Sequence, residues 1–171
     1  MLEHRIPFRF SRLSPSCDDP FYPNRIISSM DECGVFLCTN GEVQVTLEKE
    51  IHRIRRGDMY IYMPSLPIRL LYKSEDAEGL LVALDVDFML PVVQRVANAE
   101  NLLHVRRYPF FSLTEENFGY IRSMLEKLWE RIYEEDKDRK GFLQQRLQVE
   151  LIKSMAQTIT YEVLSIYFSK L

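Results

Sequence analysis

A chain of 171 residues with 46% hydrophobic and 27% charged residues has the size of one globular domain, or one domain plus an appendage, and no room for two. Its formal net charge of -3 argues against holding nucleic acid alone, and Cys17, Cys33 and Cys38, without C-x-x-C spacing, indicate neither a disulfide framework nor a zinc cage. No apolar run nears the ~20 residues of a membrane span, and the start lacks the apolar core of a signal peptide, so a soluble cytoplasmic protein without a membrane partner is expected.

The first 33 residues read as an N-terminal arm. Ser14-Pro15 and Asp18-Asp19-Pro20 are turn formers, while Phe8, Phe10, Phe21 and Tyr22 suggest that the arm packs on the body of the domain.

From residue 34 to 88 the apolar runs are short, and each ends in a turn signal, the pattern of strands. The runs are Gly34 to Thr39, Glu42 to Glu48, Ile51 to Arg56, Asp58 to Met63, Ile68 to Lys73 and Gly79 to Phe88. Asn40-Gly41 predicts a two-residue hairpin between the first two, because a type I′ turn needs positive φ at both central residues. Val43, Val45 and Leu47 alternate with polar residues, so that strand has one buried face. Asp58 to Met63 is apolar on both faces: Met59, Ile61 and Met63 on one, Tyr60 and Tyr62 on the other. One face should line a barrel and the other should meet helices or the arm. Even spacing of short strands predicts an antiparallel sandwich or barrel.

Residues 89 to 171 take the helical period. A short helix is expected from Phe88 or Pro91 to Ala99. A longer one starts after Thr114, an N-cap followed by Glu115 and Glu116 at the positive end of the helix dipole. Leu113 and Phe118 have the spacing of a hydrophobic staple. Phe118, Ile121, Leu125, Leu128 and Ile132 then recur at steps of three and four. The charged stretch from Glu134 to Lys140 and Gly141 separate it from a second helix carrying Leu143, Leu147, Leu151, Met155, Ile159 and Val163. The fold class is therefore β-rich α+β, a small barrel with the arm packed on it and a helical hairpin after it.

The stretches from Gly34 to Val45, Ile54 to Pro64 and Ala83 to Leu90 resemble the sensory domain of AraC-type transcription regulators. The resemblance implies a cupin-like barrel, or jelly roll, with helices that dimerise, and DNA contact only through helix-turn-helix units that would follow the helical hairpin, outside this chain.

Enzymatic cupins hold a metal through two motifs resembling G-x(5)-H-x-H-x(3,4)-E-x(6)-G and P-x-G-x-x-H, whose imidazoles and carboxylate converge on one ion. Aligned on Gly41, the first motif puts its glutamate at Gly34 and its histidines within Ile27 to Met30, where there are none. In the second, Pro64 matches, Leu66 replaces the glycine and Arg69 the histidine. His4, His52 and His104 lie on separate elements, and Ser28-Ser29 has no nucleophile context. No catalytic residue, metal or cofactor is expected.

Small barrels commonly hold a small molecule in the mouth. Arg69, if it points inward, would favour a carboxylate, a phosphate or sugar hydroxyls as effector. The alternative is an outward Arg69 with Ile68, Leu70 and Tyr72 inside. Phe36, Cys38, Tyr60 and Tyr62 are further ligand-binding candidates whose alternative role is core packing, Cys38 as a buried inert thiol. Arg53 and Arg55 read as the wet face of a strand, and Arg106-Arg107 as solvated charges. The broad apolar set on the first long helix predicts a homodimer with Leu125, Leu128 and Ile132 in the seam. Competing readings are a cupin-like enzyme, a cyclic-nucleotide-binding barrel and a pure oligomerisation module.

Overall fold

The computed structural model describes residues 6–15, 31–64, 68–133 and 141–171. Outside these lie His4, Cys17, Asp18-Asp19-Pro20, Phe21, Tyr22, the positions Ile27 to Met30 with Ser28-Ser29, Leu66 and Pro67, and the stretch from Glu134 to Lys140.

Among the described residues, eight strands form two antiparallel sheets. The larger contains β1 (Phe8–Leu13), β2 (Glu32–Asn40), β5 (Asp58–Tyr62), β7 (Glu78–Asp85) and β8 (Phe110–Ser112), in the order β1-β7-β2-β5-β8. The smaller contains β3 (Glu42–Leu47), β4 (Glu50–Arg55) and β6 (Arg69–Lys73), in the order β4-β3-β6. Side chains alternate across a strand, so the large sheet has two different faces. One face carries Phe36, Cys38, Tyr60, Tyr62, Leu81 and Ala83, which pack with Val43, Val45, Ile54 and Leu70 of the small sheet. The other carries Val35, Leu37, Met59, Ile61, Leu80 and Val82, which pack against the helices. The two faces of Asp58 to Met63 thus divide as the alternation predicts. The result is the cupin-like fold with a C-terminal helix pair.

Strand β1 lies within the expected arm and pairs with β7 in unbroken register from Phe8↔Leu84 to Leu13↔Gly79. Helix α3 (Glu115–Tyr133) holds it from outside. The Trp129 ring meets Phe10 edge to face at 5.1 Å, the Arg12 guanidinium lies 4.6 Å from the Trp129 ring, and the Tyr133 hydroxyl donates to the Phe10 carbonyl at 3.2 Å.

The Asn40-Gly41 turn is present, but it does not make a hairpin. Strands β2 and β3 belong to different sheets, and only Gly41 has positive φ, at 69°. The turn instead carries the chain from one sheet to the other. A β-carbon on Gly41 would come within 2.4 Å of the Ser74 hydroxyl, so space as well as φ requires glycine. The two-residue hairpin lies at Glu48-Lys49, between paired Leu47 and Glu50, with φ of 51° and 75°. Sequence misses it because neither residue is a usual left-handed turn former.

The helices begin with α1 (Val86–Gln94), which starts ahead of the expected position and keeps Pro91 inside. Helix α2 (Ala99–Arg107) is not anticipated from the sequence. Its N-terminus is a capping box in which the Asn98 side chain accepts from the Asn101 amide at 2.8 Å and the Asn98 amide donates to the Asn101 side chain at 2.9 Å. Helix α3 begins where Thr114 predicts, with Thr114 Oγ1 accepting from the Asn117 amide at 3.1 Å. Leu113 and Phe118 both belong to the helix-side core. Helix α4 (Phe142–Ser169) packs along α3 and returns over the sheet.

Candidate functional site

The site is built where β5 ends, because three elements converge there. Strand β5 brings Tyr60, Ile61 and Tyr62, the β3–β4 hairpin brings Leu47 and Glu48, and the last turn of α2 brings Leu103, Arg106 and Arg107. With Met63, Ile68 and Pro109 they line a cavity of about 350 Å³ at the end of the sandwich. That volume lies in the range of small-molecule pockets.

The position of α2 is fixed by its C-terminal exit. The Ile61 amide donates to the Pro109 carbonyl at 2.7 Å, tying the segment after α2 to β5. From the other side, the phenol of Tyr167 on α4 donates to the Tyr108 carbonyl at 2.6 Å and reaches the His104 carbonyl at 3.5 Å. The His104 ring stacks near Tyr108 and Tyr167, at 5.0 and 6.1 Å. These bonds hold the two guanidinium-bearing residues beside the end of β5.

Arg106 and Arg107 are exposed, and no carboxylate among the described residues pairs with either. Arg55 and Arg56, at the other end of β3 and β5, behave differently. Arg55 donates to Glu42 at 3.2 Å, and Arg56 donates to Glu115 at 2.9 Å while lying 4.4 Å from the Phe118 ring. Both are committed to fold contacts.

Tyr60 and Tyr62 are 1% and 2% exposed, and each hydroxyl is buried without a hydrogen-bond partner among the described residues. Burial pushes both phenols above their ordinary range. The Tyr62 ring folds across Gly34, its register partner, so closely that a β-carbon on Gly34 would come within 2.5 Å of the Tyr62 hydroxyl. Phe36 is packed inside the sandwich. Cys38 is fully buried beside it, and its thiol donates to the Asn40 carbonyl at 3.3 Å. Burial holds that thiol up at about 12, so it stays protonated and unreactive at neutral pH.

Arg69 does not reach this cavity. It is exposed between buried Ile68 and Leu70, and therefore lies on the outer face of the small sheet. Tyr72 is also outside, 47% exposed, because an irregularity between Gln44 and Val45 shifts the register before it. Leu125, Leu128 and Ile132 are 0%, 0% and 2% exposed within the single chain, which leaves them no surface for a seam. Among the described residues the exposed large apolar side chains of the helical pair are Phe142, Leu143, Leu147 and Leu151 on α4, with Tyr120 and Tyr133 on α3. His52 sits at the edge of the sandwich, 5.4 Å from the Phe110 ring, away from His104 on α2. No group of three or more His, Cys, Asp and Glu side chains among the described residues could hold a metal ion.

The arrangement offers two unpaired cations over an apolar and aromatic floor, which is equipment for binding. Among solved structures, an apo ToxT variant from Vibrio cholerae superposes with a TM-score of 0.54 at 9% identity, covering 94% of this chain and 57% of that one. The chain shares its cupin-like fold with that ToxT chain. It spans little more than half of that ToxT chain. The AraC-like transcriptional activator CuxR matches with a TM-score of 0.43 at 14% identity, covering 90% of this chain and 48% of that one. A cupin 2 conserved barrel domain protein from Salinispora arenicola matches at 0.35 and 13%, over 52% and 84% of the two chains. No protein-family model and no curated protein matches the sequence. Among the described residues no helix is long and apolar enough to cross a membrane.

The sequence reads Arg106-Arg107 only as solvated charges, because its periodicity does not reveal the helix that presents them. The usable signal was Asn98 three residues before Asn101, with Leu102 and Val105 spaced by three and a basic last turn.

Proposed function

We propose that this chain is the effector-sensing and dimerisation domain of an AraC-type transcription regulator, working in the cytoplasm, with DNA contact made by units outside the chain. In this reading residues 1–33 are an arm packed on the barrel that lends it β1, residues 34–88 form the barrel's core, and residues 89–171 add β8, complete the effector site and carry the dimer contact. The carrying observation is the placement of the cavity between β5 and α2, since α2 is bonded through Tyr108 to Tyr167 of α4. A molecule that favours one position of α2 biases α4 by its differential affinity for the two positions. The reading assigns the domain no reaction, and the fold alone implies none.

Dimerisation rests on a different part of α4 from the residues expected in the sequence. Leu143, Leu147 and Leu151 recur every four residues along one face and are 68%, 46% and 44% exposed. A two-fold contact between copies of α4 would bury that face.

Fusion of the chain to a DNA-binding module that is active only as a dimer tests the proposal. The fusion should repress a reporter carrying the module's operator, and Leu147→Glu should abolish repression. A fusion that stays silent, with the free chain sedimenting as a monomer at tens of micromolar, would sink it.

A further inference from the structure

We infer that the cavity at the end of β5 takes a small amphipathic organic anion, one carboxylate on an apolar body, with Arg106 and Arg107 receiving the head. The inference rests on reading this cavity as the effector site, and adds the chemical class of the ligand. Two guanidinium groups on one helical turn form a pair of forks suited to oxyanions. Neither is neutralised within the described residues, unlike Arg55 and Arg56 at the other end of the sandwich. Their place in the last turn of α2 suits the helix dipole, but that small effect does not require them to border a cavity.

The rest of the lining sets the body of the ligand. Ile61, Ile68 and Leu103 offer hydrocarbon, while Tyr60 and Tyr62, almost fully buried, close the floor. A volume of about 350 Å³ exceeds what an inorganic ion fills, so the head alone would leave this surface wet. Glu48 also borders the cavity, and its charge disfavours a second negative group on the ligand.

Calorimetric titration of the chain with three probes tests this: 4-phenylbutyrate, the neutral 4-phenylbutan-1-ol and inorganic phosphate. The carboxylate should bind saturably, with the alcohol and phosphate each weaker by about tenfold or more. Arg106→Gln and Arg107→Gln should each weaken the carboxylate by roughly tenfold, leaving the alcohol and the melting temperature unchanged. Both arginines are exposed, so neither substitution threatens the fold. Equal affinity for alcohol and carboxylate, or binding indifferent to both substitutions, would overturn the anion assignment while leaving an effector site in place. Phosphate binding as tightly as phenylbutyrate would reduce the site to a simple anion patch and overturn the amphipathic body. Failure of all three probes to bind overturns the inference too, and the reporter fusion reads the regulator proposal separately.

Discussion

The phenol of Tyr167 donates to the carbonyl of Tyr108 at 2.6 Å, joining residues 59 apart in sequence. Tyr167 is 4% exposed and its ring meets Phe111 edge to face at 5.2 Å, so the hydroxyl is held in place by core packing. This bond connects the helix that borders the cavity to the helix proposed to dimerise.

Tyr167→Phe keeps the ring and removes the bond. The expected loss is about 1 kcal/mol of stability by urea unfolding, more if the Tyr108 carbonyl is left without a partner. Amide exchange in the last turn of α2 should accelerate as well. An unchanged exchange rate there would mean that Ile61 and Pro109 alone hold the helix end.

The burial of Leu128 and the exposure of Leu147 make opposite forecasts. Leu128→Ala should cost roughly 2–5 kcal/mol, the usual range for emptying a fully buried leucine site. Leu147→Glu should leave the monomer's stability nearly unchanged and shift the sedimentation of wild type from dimer to monomer. A folded Leu128→Ala monomer beside a dimeric Leu147→Glu would return the seam to α3.

Much of the fold was legible in the sequence because its strands alternate cleanly. The split of Tyr60 and Tyr62 from Met59 and Ile61 follows from that period alone. The site was less legible, since it depends on what lies beside what. Arg69 sits where a cupin motif has an inward histidine, yet strand alternation turns it outward between Ile68 and Leu70. The apolar stripe through Leu125, Leu128 and Ile132 was visible, but whether a stripe meets its own sheet or a second chain depends on the space above that sheet. Asn40-Gly41 shows the same limit: turn chemistry fixed the reversal and could not say that the two strands enter different sheets.

Gly34→Ala should cost about 3 kcal/mol or more, because an added β-carbon would come within 2.2 Å of the Val82 carbonyl and 2.5 Å of the Tyr62 hydroxyl. Pairing it with Tyr62→Phe should recover little, since the backbone contact remains. A double variant as stable as Tyr62→Phe alone would show that the sheet spreads to admit the methyl group.

Alkaline pH should destabilise the fold. Burial raises the thiols of Cys33 and Cys38 from 9.0 to about 12, and it raises the phenols of Tyr60 and Tyr62 above 10.0. The folded state then binds more protons than the unfolded state, so stability is full below about pH 9 and falls as pH rises towards 12. Urea midpoints measured from pH 8 to 11 should decline. In a Cys17→Ser, Cys33→Ser background, the fully buried Cys38 thiol should resist an aromatic disulfide reagent at pH 8 until the chain is unfolded. A flat midpoint or rapid modification of the native protein would contradict the burial of these groups.

Whether occupation of the cavity is passed to the helical pair can be read by amide hydrogen exchange across the whole chain, with and without saturating 4-phenylbutyrate. Slower exchange is expected in Ala99–Arg107 and, through the Tyr167 bond, in the C-terminal turns of α4, with the second effect absent in Tyr167→Phe. Exchange that is unchanged in both helices at saturation, or slowed only on the outer face of the small sheet around Arg69, would refute the coupling.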